Sequence, residues 1–227
     1  MISRRLKALY YLLLSVPMWL NALLYRRLRA PTSGVHLGPG RKNYLPGWIN
    51  VDANLITAKL DVWANIAHGV PFRDGTVDAF YSHHVIEHLA DDDLPTHFAE
   101  LYRCLKPGGM VRIGVPHADS AVRAFLAGDH DWFYDFPVSH TSMGGRLTNF
   151  LLCKGEHLSI LSLSYMHELL TTAGFTDIRP CAPATATFYS QLIDAGLLAT
   201  ESESHPDMPH TLIVEARKPG LAIAQAA

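Results

Sequence analysis

The chain has 227 residues, of which 48% are hydrophobic and 18% charged, with a formal net charge of -2. That is enough for one well-buried domain with appendages, and the near-neutral balance argues against a disordered chain and against an extended nucleic-acid footprint. Cys104, Cys153 and Cys181 stand far apart with no CxxC spacing, so neither a zinc knuckle nor a disulfide framework is indicated, and a reducing cytoplasm fits best.

Residues 1–30 differ from all that follows. "RRLKALYYLLLSVPMWLNALLYRRLR" holds an apolar run from Leu9 to Tyr25, with Arg4, Arg5 and Lys7 before it and Arg26, Arg27 and Arg29 after it. The run predicts a helix over residues 4–29. It falls short of the roughly 20 residues a spanning helix needs, Pro17 and Asn21 interrupt it, and cations at both ends give a span no orientation. Arginines stand where a cleaved leader wants small residues. A helix lying on the inner face of a membrane leads, closely followed by a helix packed on its own domain or a dimer mate; a true span ranks third.

"APTSG", Ala30 to Gly34, reads as a linker, so the main domain is taken as residues 31–227. Short apolar runs then alternate with helical patterns. Strands are expected at Val35 to Leu37, Trp48 to Val51, Lys59 to Val62, Val77 to Ser82, Gly109 to Val115, Phe175 to Cys181 and Thr211 to Ala216. "DDDLPTHFAELYRCLKPGG" and "SYMHELLTTAGF" read as helices, the first capped by Asp91 to Asp93 and stopped by "KPGG", the second stopped by Gly174. The alternation predicts an α/β fold, a three-layer doubly wound (Rossmann-like) sheet of seven strands. Residues 117–163 are irregular and aromatic-rich (Phe125, Trp132, Phe133, Tyr134, Phe136, Phe150), which reads as a substrate-facing insertion, with a core-completing flap as the competing reading.

Chemistry starts at "VHLGPGRKNYLPGWINVD". In a doubly wound sheet, ligands bind outside the carboxyl ends of the strands, where Gly38 and Gly40 let backbone approach a ligand and Asp52 ends the second strand. A dinucleotide site wants a third glycine opening a helix, with the acid about 20 residues on. Here Pro46 and Gly47 leave no room for that helix and Asp52 comes twelve residues after Gly40. The fragment therefore argues against NAD and towards an adenosyl ligand without a pyrophosphate, S-adenosylmethionine.

Taken in order, "VHLGPG", "INVD", "KLDVW", "VPFRDGTVDAFYSHHVIEHL" and "LYRCLKPGGMVRIGVP" resemble the class I S-adenosylmethionine-dependent methyltransferases, in particular the type-11 group. "LLTTAGFTDIRP" and "HTLIVEARKP" resemble that family's last helix and terminal strand pair, which implies that the last strand is antiparallel. The resemblance implies Gly38 and Gly40 at the methionine moiety, Asp52 at the ribose, Asp61 and Val62 at the adenine, and Ser82 and His83 beside the reacting methyl. The chain departs from the pattern in its truncated first crossover and in Pro39; Arg41 or Lys42 would then pair with the methionine carboxylate.

Histidines are the natural acceptor-side groups. "SHHVIEHL" puts His84, Glu87 and His88 at i, i+3 and i+4 on one expected helix face, with His84 as base or acceptor-orienting group, and "KGEHLSIL" offers His157 in the same capacity. HxxEH also resembles the ExxEH of metal-assisted O-methyltransferases, with His84 in place of the first glutamate and His117 or His157 as a distant fourth ligand; the swap favours a metal-free site. The expected activity is methyl transfer to a small molecule or a glycan or lipid-linked intermediate, without nucleic acid and with peripheral membrane contact through residues 4–29. A non-catalytic nucleotide-binding scaffold or regulatory protein on a degenerate fold is the alternative, and a nicotinamide oxidoreductase a distant third.

Overall fold

In the computed structural model, which describes residues 4–28 and 34–220, the apolar runs become the strands of one sheet. They are β1 (Gly34–Leu37), β2 (Ile49–Asp52), β3 (Val62–Trp63), β4 (Val77–His83), β5 (Leu105–Pro116), β6 (Thr176–Cys181) and β7 (Thr211–Arg217). Their order is β3-β2-β1-β4-β5-β7-β6, with β7 antiparallel to both β5 and β6 and the other pairs parallel. The central parallel strands are buried on both faces, which is why they read as continuous apolar runs.

The α-helices among the described residues are α1 (Arg4–Leu28), α2 (Leu94–Cys104), α3 (Ala118–Ala127), α4 (Met143–Leu152), α5 (Leu163–Ala173) and α6 (Ala195–Leu198). The main core forms where Leu94, Phe98 and Leu101 of α2 and Met166, Leu169 and Leu170 of α5 meet Phe80, Val111 and Ile113 of the sheet. The opposite face is covered more thinly: Leu45 from the β1–β2 connection and Ile193 and Leu197 around α6 pack on Ala79, Tyr81 and Met110.

No crossover helix joins β1 to β2, and Asn50 does the holding instead. Its buried amide accepts from Leu45 N at 3.0 Å and donates to Leu45 O, Trp48 O and Asp61 Oδ2, while its Oδ1 also lies 3.1 Å from His36 Nδ1. A loop lacking its own backbone ladder is thus satisfied by one side chain.

Three local expectations need correction. β3 shrinks to two residues because Asp61 turns to accept from Asn50 N at 2.8 Å. "KPGG" is strand, not helix stop: α2 ends at Cys104 and Leu105 opens β5 directly. Asp91–Asp93 is a 3-10 turn, and Asp93 makes no side-chain cap bond to α2; Asp91 instead accepts from Tyr165 O–H at 2.7 Å.

The aromatic content of 117–163 divides. Trp132, Phe133 and Phe150 are buried with Ala121 and Ala124 in a separate small core, and Trp132 Nε1 donates to Met208 O at 2.8 Å. Phe125, Tyr134 and Phe136 stay exposed.

α1 runs through Pro17, which lacks only one backbone donor on an exposed face. At 100° per residue, Tyr10, Leu14, Met18, Asn21, Ala22 and Tyr25 share one side. That side docks: Tyr10 O–H donates to Ala53 O at 2.9 Å, Asn21 Nδ2 to Trp63 O at 2.8 Å, Met18 is buried and Tyr25 meets Phe72 edge-on. The other side leaves Leu9, Leu12, Leu13, Val16, Leu20 and Leu24 exposed, with Trp19 at its edge. No described helix is long and apolar enough to cross a membrane.

Buried histidines, His36 and His97 among them, tie stability to pH. Burial lowers His36 and His97 to about 4, and His97 Nδ1 donates to Ile66 O at 3.1 Å. Well above pH 6.5 both rings are neutral whether folded or not. Below it the unfolded chain binds protons that the fold refuses, so stability falls towards pH 4 by about 1.4 kcal/mol per pH unit for each ring. Urea unfolding at pH 7 and pH 5 should show this loss, and His97→Gln should shrink it by about half of the two-ring total; an unchanged slope would overturn the assignment.

Candidate functional site

A cavity of about 980 Å³ opens at the carboxyl ends of β1, β2 and β4. Its polar side is set by the exits of those strands. Gly38, immediately after β1, has φ +67°, and a Cβ there would come within 2.4 Å of Val85, so the backbone conformation and the space both require glycine. Asp52, the last residue of β2, accepts from Gly40 N at 3.0 Å through Oδ2 and from Asn54 N at 2.7 Å through Oδ1. Burial raises its pKa, with those N–H groups pulling the other way.

One wall is the turn Ile66–His68, whose Asn65 cap accepts from Ala67 N at 3.1 Å; Ala64, Asn65 and Ile66 all line the cavity. The opposite wall is α1, contributing Leu9, Tyr10, Tyr11, Leu13 and Leu14. Tyr10 holds it there, its hydroxyl also accepting from Leu55 N at 3.0 Å on the loop leaving β2. The wall from α1 went unread in the sequence because nothing local links residue 10 to residue 53.

The residues singled out in the sequence separate into groups. Gly38, Asp52 and His84 line the cavity. Gly40 reaches it through its bond to Asp52. Asp61 is exposed and commits its carboxylate to Asn50 and to Tyr44 O–H at 2.9 Å, while Val62 is buried in the main core. Ser82 and His83 are set behind the lining, each with a buried polar atom, Oγ and Nε2, that has no hydrogen-bond partner among the described residues; burial lowers the His83 ring to about 3.

His84 to His88 is not the regular helix the spacing suggests. His84 sits in the left-handed region at φ +56°, an unusual conformation for a side-chain-bearing residue, and Ile86–His88 is one 3-10 turn. The bend carries His84 to the cavity wall and drops Glu87 beneath it. Glu87 is 1% exposed, and neither of its carboxylate oxygens has a hydrogen-bond partner among the described residues. His84 Nδ1 lies 3.3 Å from Glu87 Oε1 and His157 Nε2 4.0 Å from the same atom. Backbone bonds lock the arrangement: Leu158 N and Ser159 N donate to Glu87 O at 2.8 and 3.2 Å. His117, the other distant histidine, instead accepts from Ser120 N as the cap of α3.

Comparison with known proteins bears on this site. Residues 49–113 match the family model for a methyltransferase domain, Methyltransf_11. No curated protein matches the chain. Among solved structures it is similar to a S-adenosylmethionine-dependent methyltransferase of Thermotoga maritima, with TM-score 0.52, 18% identity, 95% of this chain and 96% of that one. It is also similar to phosphoethanolamine N-methyltransferase 2 of Haemonchus contortus in complex with S-adenosyl-L-methionine, with TM-score 0.51 and 15% identity. That match covers 87% of this chain, which spans about half (51%) of the longer protein. A third likeness is to a S-adenosylmethionine-dependent methyltransferase of Archaeoglobus fulgidus, at TM-score 0.50 and 16% identity over 92% of this chain and 100% of that one.

Proposed function

We propose that this chain, which carries a methyltransferase domain of the type-11 group over residues 49–113 on a class I fold, transfers the methyl group of S-adenosylmethionine to a small molecule or to a glycan or lipid-linked intermediate. Asp52 carries the proposal. Each of its oxygens takes one backbone N–H, so a carboxylate with about four acceptor positions retains capacity for both ribose hydroxyls at the cavity edge. Gly38 supplies the close backbone approach, and Ala64, Asn65 and Ile66 a mostly apolar wall of the kind an adenine ring packs against. The loop after β1 has no helix N-terminus for a pyrophosphate, which suits an adenosyl ligand lacking one.

When bound, the cofactor supplies an electrophilic methyl on a sulfonium. This chain's part is then to position the acceptor and exclude water. His84, held by Thr211 Oγ1 at 3.1 Å from its Nε2, is the group we place at the reacting end. Calorimetric titration of S-adenosylhomocysteine into the full chain is expected to show micromolar binding. No binding by protein shown to be folded would replace the enzyme with the non-catalytic scaffold.

The second face of α1 supports an acceptor at a membrane surface. Residues 1–30 hold six Lys and Arg and no Asp or Glu, against 13 and 21 in the rest of the chain, so +6 stands opposite -8. A cation-flanked helix with a free apolar side matches an anionic lipid surface, and here the same helix walls the cavity. Trp19, 61% exposed, is a natural reporter. Its emission should shift to the blue with anionic vesicles and not with zwitterionic ones, and Leu12→Glu with Val16→Glu should weaken binding at least tenfold, since each removes a buried aliphatic contact of about 1.5–3 kcal/mol. Equal response to both vesicle types, or concentration-dependent dimerisation in their absence, would overturn the lipid reading.

A further inference from the structure

We infer that Glu87, His88 and His157 form a binding site for one first-row divalent metal ion, open towards the cavity on its His88 side. The sequence alone favoured a metal-free reading; the geometry of this cluster argues otherwise. The three side chains offer one ligand atom each within 4.8 Å of one another, close enough for small side-chain rotations to bring them onto one ion.

The first observation is an unpaid debt. Glu87 is a buried carboxylate with no hydrogen bond to either oxygen among the described residues, a state that costs several kcal/mol unless a counter-charge meets it. A neutral imidazole brings it no counter-charge, and no Lys or Arg among the described residues makes an ion pair with it.

The second is the state of the two imidazoles. His88 Nδ1 lies 2.8 Å from Glu156 O and His157 Nδ1 2.9 Å from Leu151 O. A carbonyl only accepts, so both rings donate from Nδ1, and in the neutral ring Nε2 then carries the lone pair. Metal-binding histidines are characteristically set in this way, with the far nitrogen donating to a backbone carbonyl. The two rings also stand edge to face with centroids 5.2 Å apart, and they come from segments far apart in sequence that are stitched together by the bonds to Glu87 O.

The contrast with the other acid–histidine cluster is instructive. Glu203, with His205 and His210, accepts from the N–H groups of Ser204, His205, His210 and Thr211, so its carboxylate is already satisfied and is a loop anchor. Glu87 has no such partners.

Two imidazoles and one carboxylate suit Zn²⁺, Mn²⁺ or Co²⁺ better than Mg²⁺ or Ca²⁺, which prefer oxygen ligands. His88, Gly155 and Glu156 line the cavity, so the unfilled coordination positions face it. There an ion would hold an acceptor through a hydroxyl or carboxylate oxygen; that role rests on the methyl-transfer reading, whereas binding of the ion does not.

The test uses the full chain stripped with EDTA and desalted. Titration with Co²⁺, read by its visible absorption, and with Zn²⁺ and Mn²⁺ by calorimetry, should show one equivalent per chain with nitrogen ligation. Glu87→Gln and His157→Gln, checked for folding by circular dichroism, should each weaken uptake at least tenfold, and His205→Gln should leave it unchanged. No stoichiometric uptake, or uptake that survives both Glu87→Gln and His157→Gln, overturns the site. If both variants unfold, protection of the wild-type His88 and His157 ring signals by Zn²⁺ in NMR decides instead: no shift in either ring rejects the site. S-adenosylhomocysteine titrated into the same metal-free protein keeps the two ideas apart, since its binding without metal uptake sinks only the metal site, and metal uptake without its binding sinks only the enzyme.

Discussion

Arg112→Met is expected to lower the unfolding free energy by about 3–5 kcal/mol, the range for leaving a buried charge without its partner. Arg112 lies on β5 with no exposed side-chain surface. Its guanidinium donates to both oxygens of Glu201 at 2.8 and 2.7 Å, to Glu215 Oε1 at 2.7 Å and to Ala186 O at 2.9 Å. Glu215 faces it directly across the β5–β7 register, and Glu201 arrives from the segment beyond α6. The same carboxylates accept from Ala184 N, Thr187 Oγ1 and Phe188 N, so one cation ties the whole 184–201 covering to the thinner face of the sheet. Methionine fills the volume but strands two buried acids. The triple variant Arg112→Met, Glu201→Leu, Glu215→Leu should recover part of the loss and not all of it, because the backbone donors of Ala184 and Phe188 would then lack acceptors. Urea denaturation measures both; a single-variant loss within about 1 kcal/mol of zero would show that the triad is not what holds this face.

That triad also shows why some of the structure could be read from the sequence and some could not. Strands such as Val35 to Leu37 and Gly109 to Val115 were legible because a strand buried on both faces reads as a nearly continuous apolar run, broken here only by His36 and Arg112, which is a local property. The absent first crossover helix was legible for the same reason: Pro46 and Gly47 forbid it in place. Arg112 with Glu201 and Glu215 was not, since its partners are 89 and 103 residues away and a charge inside a strand looks like a solvated face. Asp61 carried a family expectation at the adenine; its carboxylate also accepts from Asn50 and Tyr44, which ties it to the loop that replaces the helix. At His84 the spacing of "HVIEH" suggested a helical face, and only the left-handed backbone at φ +56° reveals that Glu87 ends up buried beneath it. A positive φ at a residue other than glycine or asparagine leaves no signature in one sequence. The docking of α1 depends on single polar contacts, Tyr10 to Ala53 and Asn21 to Trp63, that no periodicity announces.

Asp52→Asn is expected to weaken S-adenosylhomocysteine binding roughly a hundredfold, about 2.7 kcal/mol. The size follows from what the carboxylate does twice over. Towards the cavity it offers charged acceptors to two hydroxyls, and hydrogen bonds to a charged group contribute about 1.5–3 kcal/mol each. Towards the protein its two oxygens take Gly40 N and Asn54 N, fixing the loops on either side of the site. An amide keeps one acceptor oxygen and turns its NH₂ on the other N–H, so it loses charge, acceptor capacity and one loop tether together. Asp61→Asn separates this account from the family expectation. In this geometry Asp61 serves the Asn50 loop, so the change should lower stability while moving affinity less than tenfold. If calorimetry finds Asp61→Asn as damaging to binding as Asp52→Asn in protein of equal stability, the adenine end of the site lies at Asp61 after all, and the wall of Ala64, Asn65 and Ile66 loses its assignment. If Asp52→Asn binds like the parent protein, the carboxylate is a structural cap and the cavity holds something other than a nucleoside.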